Sequence, residues 1–368
     1  MTACRWLILV AGVVLVSSPV LRAADADPQT LVFSLKSWEG EYTTSDAPGA
    51  PPPTPVTGAI YTIRGDGAEL TKVAQPGKSA DYPFFSPDGK WIYFQSNASG
   101  TMRIYRRPAG EGELQVVGDA TRLGPPWTTA YGYSLSRDGT RLLYSVSDGS
   151  QARIAMANSD GSDPRLILPE LGYLYMVSLA PANDVLVCSG PASGYRLKLI
   201  HLADKKVVDL TPDHPDSYAP QFTPDGRTLI FLRRDGDIYR VDVDGKNLRR
   251  LTEGNRYVEF RLSPRDAHGS TDAPQLSPDG RKIAYIALRQ GVPNVGVIDL
   301  DGSEPKQITY RNVPCGRVRW SPDGKRLAFV SFDGKYPQLF VVSATGGEPQ
   351  QLTRLDGAVY FVQWKPVP

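Results

Sequence analysis

The chain has 368 residues, with 41 lysines and arginines against 39 aspartates and glutamates. A balance this close to neutral lacks the broad positive field that draws in nucleic acid or an anionic membrane surface. Cys188 and Cys315 stand in distant parts of the chain, so buried free thiols are expected rather than a disulfide.

The N-terminal segment reads as a secretory signal. Arg5 precedes an apolar run over 6–21, and Arg22-Ala23-Ala24-Asp25 ends it with small residues. Cleavage after Ala23 would leave a mature domain over 24–368, periplasmic or secreted. A retained anchor is the rival, but the run is short for a span of about 20 residues. Cys4 precedes the run, so lipoprotein-type cleavage is not supported. Losing 1–23 removes Arg5 and Arg22 and no acid, which makes the mature charge neutral. No other segment is apolar enough to span a bilayer.

Next in chain order come LVFSLK at 31–36 and AIYTI at 59–63. A Pro-rich stretch, SWEGEYTTSDAPGAPPPTPVTG at 37–58, separates them. A self-similar unit then recurs: FSPDGKWIYF at 85–94, LSRDGTRLLY at 135–144, FTPDGRTLIF at 222–231, LSPDGRKIAY at 276–285 and WSPDGKRLAF at 320–329. A degenerate copy, LAPANDVLV, occupies 179–187. Pro presets the turn, Asp-Gly tolerates positive φ, and the flanks alternate as half-buried strands do. Each unit is a hairpin of two strands, A and B. A second hairpin follows, with strands C and D around turns such as Gly65-Asp66-Gly67 and Asp244-Gly245. Strand D often ends in Leu-Thr or Ile-Thr, at Thr211, Thr252, Thr309 and Thr353.

The A–B turns number six and the C–D turns seven. The ends account for the difference. AVYFVQWKP at 358–366 reads as a lone strand A, and LVFSLK as a lone strand B. Pairing them completes a seventh sheet and closes a ring without exposed edges. The expected fold is therefore all-β, a seven-bladed β-propeller of four-stranded antiparallel blades, with six blades as the alternative. In strand A, residues one and three before the Ser position should pack on the neighbouring blade.

The D-x-P-x-F/L-S-P-D-G-K/R unit is clearest at Asp81–Lys90 and at 272–281. It resembles the WD-like repeat of TolB-type propellers, over nearly all of the mature chain. The resemblance implies the fold much more than a function. Two features depart from TolB itself. No α/β domain precedes the repeats, and seven blades are counted where TolB is expected to have six. Propellers joined to serine-peptidase domains are similar too, but no G-x-S-x-G occurs here.

If strand A runs from top to bottom, the B–C and D–A links share the top face. Both long insertions fall there, at 37–58 and within 255–273. Binding loops on rigid scaffolds cluster in this way. Five residues before the Ser position stand Asp81, Tyr131, Tyr175, Tyr218, Asp272, Gly316 and Tyr360. These tyrosines and aspartates, with Arg317 and Arg319, form the expected ligand-binding rim. Aromatic residues at blade junctions also serve as packing, which is the competing expectation.

His214 with Asp216, and His268 with Asp272, lie in successive top-face links. Imidazole plus carboxylate is donor chemistry for a divalent metal such as Mn or Zn. The spacing matches no local signature such as H-E-x-x-H, so no cofactor is otherwise expected. The leading expectation is an exported, non-catalytic scaffold that binds a protein or glycan partner through the top face. A metal-assisted lyase or hydrolase acting on a glycan at His214/His268 is one rival. A small-ligand sensor using the Tyr/Asp rim is another.

Overall fold

The computed structural model describes residues 29–37, 57–77, 79–190, 194–255, 273–289 and 291–367. The expected signal segment and most of both insertions lie outside these residues. The first strands are β1 (Thr30–Ser37), β2 (Thr57–Arg64) and β3 (Thr71–Ala74). Blade one follows as β4 (Ala80–Phe85), β5 (Trp91–Ser96), β6 (Arg103–Pro108) and β7 (Gln115–Gly118). Blade two is β8 (Thr129–Leu135), β9 (Arg141–Ser147), β10 (Ala152–Asn158) and β11 (Arg165–Ile167). Blade three is β12 (Tyr175–Leu179), β13 (Val185–Ser189), β14 (Lys198–His201) and β15 (Val207–Asp209). Blade four is β16 (Ser217–Phe222), β17 (Thr228–Arg233), β18 (Ile238–Asp242) and β19 (Arg249–Arg250). Blade five is β20 (Gln275–Leu276), β21 (Lys282–Arg289), β22 (Val292–Asp299) and β23 (Lys306–Gln307). Blade six is β24 (Cys315–Trp320), β25 (Arg326–Asp333), β26 (Tyr336–Ser343) and β27 (Gln350–Gln351), and β28 (Ala358–Trp364) ends the chain.

The seventh blade has the order β28-β1-β2-β3, so the two ends do pair and the propeller has seven blades. β1 runs antiparallel to β28, from Leu31 opposite Trp364 to Lys36 opposite Ala358.

The repeated turn has a common chemistry. Ser86, Ser136, Thr223, Ser277 and Ser321 donate their hydroxyls to Asp88, Asp138, Asp225, Asp279 and Asp323 at 2.5–2.7 Å. The same hydroxyl oxygens accept the N–H of the residue five positions on, at 2.9–3.1 Å. The turn glycines have φ of 68–72°, which a side chain disfavours. Consecutive turns also touch. A Cβ on Gly280 would sit 2.5 Å from Pro224, and one on Gly139 would sit 3.3 Å from Pro87. Between blades two and three both partners change, to Arg137 and Asn183. There Asn183, itself at φ 59°, donates Nδ2–H to Asp138 at 2.8 Å.

The threonines that end strand D are buried caps. Thr211, Thr252, Thr309 and Thr353 accept the N–H of Leu197, Ile238, Val295 and Leu339, each at 2.9 Å. The Thr252 and Thr309 hydroxyls donate in turn to Asp237 and Asn294. Each cap thus ties the start of a D–A link to its own blade.

Strand A packs as its pattern requires. Tyr133 joins Tyr93 and Ile104 of blade one, and Val318 joins Ala284 and Val297 of blade five. Trp320 and Trp364 donate their indole N–H to the strand-A carbonyls of Gln275 and Arg319, at 3.0 and 3.2 Å. A buried aliphatic or aromatic side chain contributes about 1.5–3 kcal/mol by leaving water. Cys188 and Cys315 are buried free thiols, and burial pushes Cys188 up to about 12.

Strand A departs from simple alternation. Strand A bulges in six blades, with register shifts at Asp81/Phe84, Tyr131/Tyr133, Tyr175/Ser178, Tyr218/Gln221, Gly316/Arg319 and opposite Phe33/Ser34. The residue after each expected rim position takes a left-handed φ of 43–60°: Tyr82, Gly132, Met176, Ala219, Arg317 and Phe361. Bulges re-aim side chains. Tyr82 touches Phe361 of the closing blade at 4.3 Å and Tyr133 of blade two at 5.9 Å between ring centroids. The Ala219 N–H lies 3.0 Å from the sulfur of Met176. Bulged residues of neighbouring blades therefore pack against one another along the inner strands.

Candidate functional site

The expected rim divides into two built groups. The first joins blades six, seven and one. Asp81 accepts the Ser34 hydroxyl at 2.7 Å and the Tyr82 N–H at 2.8 Å through Oδ1. Its Oδ2 receives the Lys36 ammonium at 2.9 Å. Ser34 and Lys36 lie on β1 and Asp81 on β4, so this carboxylate straps the closing blade to its neighbour. Lys36 also stands 4.6 Å from the centre of the Tyr360 ring. Arg317, only 2% exposed, stacks on Tyr360 at 4.3 Å and on Phe361 at 4.9 Å, and donates to the Tyr360 hydroxyl. Two cations thus lie close to the Tyr360 ring. Arg319 is half-buried and donates to the Val318 carbonyl at 2.8 Å. Burial pushes the Tyr82 phenol up, against the opposing pull of Arg319 and Arg317. Arg317 and Tyr360 lie within the blade junction rather than on an open rim.

The second group lies where blades three and four meet. Tyr218 donates its hydroxyl to Asp216 at 2.9 Å, and its ring centre lies 5.1 Å from that of Tyr195. Arg234 approaches the other Asp216 oxygen at 3.5 Å. Burial, then the Asp216 carboxylate, pushes the Tyr218 phenol up to about 12, so it remains a donor at neutral pH. His214 is half-buried on the same link, and its carbonyl accepts the Ser217 hydroxyl at 3.0 Å.

The remaining expected residues are less informative. Tyr131 is half-buried on β8, and Tyr175 begins β12. His268 and Asp272 lie outside the described residues, so the His214/Asp216 and His268/Asp272 pairs are not seen together. Among the described residues no three His, Cys, Asp or Glu side chains converge as a metal site. No helix among them is long and apolar enough to cross a membrane.

Sequence reasoning missed four residues that the fold brings forward: Lys36, Tyr195, Arg234 and Tyr310. Lys36 carried a signal, since Ser34 and Lys36 alternate onto one face of β1. Tyr310 follows a capping Thr on the link from blade five to six and is 81% exposed. Tyr195 and Arg234 sit in B–C loops, where periodicity carries no information.

Comparison with known proteins agrees with the architecture. The family model described as "TolB beta propeller domain" matches residues 261–367. An uncharacterised protein of Agrobacterium fabrum is 32% identical over 261 residues, covering 66% of this chain and 80% of that protein. The Tol-Pal system protein TolB of Francisella tularensis subsp. tularensis is 23% identical over 231 residues, or 60% of this chain. The chain matches about half of that TolB's length, 48%. The crystal structure of TolB from Acinetobacter baumannii superposes with a TM-score of 0.55 at 19% identity, over 93% of this chain and 68% of that one. The repeats, the ring closure and these likenesses agree, and the chain belongs to the TolB-type β-propeller family.

Proposed function

We propose that this chain acts outside the cytoplasm as a binding propeller that takes a protein partner on its top face. One observation carries the reading: the A–B turns and the top links differ in what they leave available, the C–D turns adding only the single exposed apolar side chains of Leu70 and Leu114 at the bottom. The bottom A–B turns spend their hydroxyls, carboxylates and amides on each other, and pack proline against glycine from blade to blade. The top links present the exposed Tyr310 ring and the half-buried Tyr195 ring, with the half-buried Tyr218 beside it at the start of β16. Tyrosine supplies a large rigid contact area with a polar tip, which suits protein interfaces. The expected export segment and the two insertions expected on the top face point the same way. The Francisella relative is a protein of the Tol-Pal system, which also favours a protein partner.

The test places a photo-crosslinking residue at Tyr310 on the top, or at Arg281 on the bottom, in the full chain expressed in its source cells. A protein adduct is expected from position 310 and none from 281. Adducts from 281 alone, or none from either position, would refute the reading. A glycan partner would give no protein band at 310 but a shift on glycan staining.

A further inference from the structure

The blade three–four group contains more than the repeat requires. Seven residues before the Ser position, the blades carry Ser79, Thr129, Tyr173, Asp216, Ser270, Pro314 and Ala358. Only blade four has a carboxylate there. Asp216 and Tyr195 also hold left-handed backbones, at φ 60° and 57°, although neither is glycine. Such conformations persist where surrounding bonds over-determine them, and they gather at ligand sites. The bonds are present. Tyr195 N–H reaches the Gly190 carbonyl at 2.9 Å, Ser217 N–H the Tyr195 carbonyl at 2.8 Å, and Arg234 N–H the Asp216 carbonyl at 3.1 Å.

The result is a fixed wedge, uncovered among the described residues. The Tyr195 and Tyr218 rings are inclined at 48°, both only partly buried, with the Asp216 carboxylate at their side. Tyr218 holds one carboxylate oxygen and so sets its orientation. The other oxygen faces the Arg234 guanidinium at 3.5 Å, on a side chain that is 78% exposed. An exposed ion pair of this kind adds little to stability, so another cation could replace it at small cost.

We propose that this wedge is a receptor for a basic side chain, a lysine ammonium or an arginine guanidinium, presented by the protein partner. This rests on the protein-binding reading above and names the chemistry of one contact within it. The carboxylate supplies the charge, and the ring faces attract the same cation through their negative quadrupoles. Arg234 already approaches one oxygen of this carboxylate, at 3.5 Å. A saccharide could also lie against tyrosine rings, but the carboxylate here already faces a guanidinium, and that observation favours a cation.

The test uses the full chain carrying 13C-labelled tyrosine rings. Tyr195→Phe and Tyr218→Phe assign their signals. Acetyl-lysine methylamide and acetyl-arginine methylamide are the probes, with acetyl-alanine methylamide and N-acetylglucosamine as controls. Saturable shifts of both rings are expected from the two cations. Affinity should fall about tenfold in Asp216→Asn, where asparagine keeps the left-handed backbone. It should rise about threefold in Arg234→Ala, which removes the resident competitor. Unchanged thermal midpoints would establish that both variants fold. The site is refuted if neither cation gives a saturable shift, if Asp216→Asn responds like the parent, or if only the neutral amide or the sugar binds. The crosslink from position 310 reports separately on the whole face. A protein adduct there with no cation response would leave the top-face reading standing and remove this site alone.

Discussion

At the level of single residues, the repeated turn explains why a hydroxyl and a carboxylate recur two positions apart. The hydroxyl donates to the carboxylate and accepts an N–H from the strand that follows, so neither polar group is left without a partner as the turn closes. This chemistry carries a pH signature. The carboxyls of Asp88, Asp225 and Asp279 lie below their ordinary value of 3.8, held there first by the Ser86, Thr223 and Ser277 hydroxyls and then by turn N–H groups. A carboxyl depressed in the folded state stabilises fully above its unfolded value. That contribution is lost as pH falls through 3.8 towards the folded value. A triple variant with asparagine at 88, 225 and 279 should therefore be less stable than the parent at about pH 6 and should lose less on acidification to about pH 3. Urea midpoints at the two pH values measure this. An equal acid loss in parent and variant would mean that these turns do not couple protonation to folding.

At the level of elements, the turn glycines differ in what they meet, although their backbones agree. All need positive φ, but only some also lack space. Gly280 has φ 71° and would place a Cβ 2.5 Å from Pro224, whereas at Gly324 the nearest atom, on Pro278, is 3.9 Å away. Gly324→Ala should cost about 1–2 kcal/mol, from left-handed strain alone. Gly280→Ala adds overpacking against a rigid ring and should cost roughly 1–3 kcal/mol more. Similar losses in the two variants, measured by urea unfolding, would show that the turn-to-turn contacts carry no load. The sequence displayed these motifs but not the reason they recur. The missing Gly at Asn183 reads as degeneration, whereas Asn183 keeps the positive φ and donates a hydrogen bond to Asp138 of the preceding blade. The strand-A bulges were illegible for a related reason. Alternation announces a strand, and one extra residue leaves the apolar pattern on either side intact. Only Gly132 hinted at positive φ, while Tyr82, Met176, Ala219, Arg317 and Phe361 adopt it without any compositional sign. The rim residues could be named from repeat position, but their fates could not. Arg317 is taken into the blade junction and Tyr218 is left on the surface, and that depends on contacts between blades.

At the level of the molecule, the count of blades was legible because it needed only the arithmetic of turns and the two lone strands. Closure then makes the shortest terminal segment a determinant of the whole fold. β28 supplies Ala358, Val359, Tyr360, Phe361, Val362 and Trp364 to the core shared with β1 and blade six. Removing it exposes their partners and leaves β1 with a bare edge. At about 1.5–3 kcal/mol for each large side chain, the loss rivals the roughly 5–15 kcal/mol by which a protein of ordinary stability is folded. A chain ending at Gly357 should therefore lose its cooperative urea transition and become sensitive to limited proteolysis in blades six and seven. A chain ending at Lys365 keeps the strand and should unfold as the full protein does. Adding a synthetic peptide of residues 357–368 to the shorter chain should restore protection, since the edge of β1 has a matching register waiting for it. An unchanged transition in the shorter chain would show that six blades hold together without the seventh being complete. The strap from Asp81 to Ser34 and Lys36 would then describe contact between blades rather than closure of the ring.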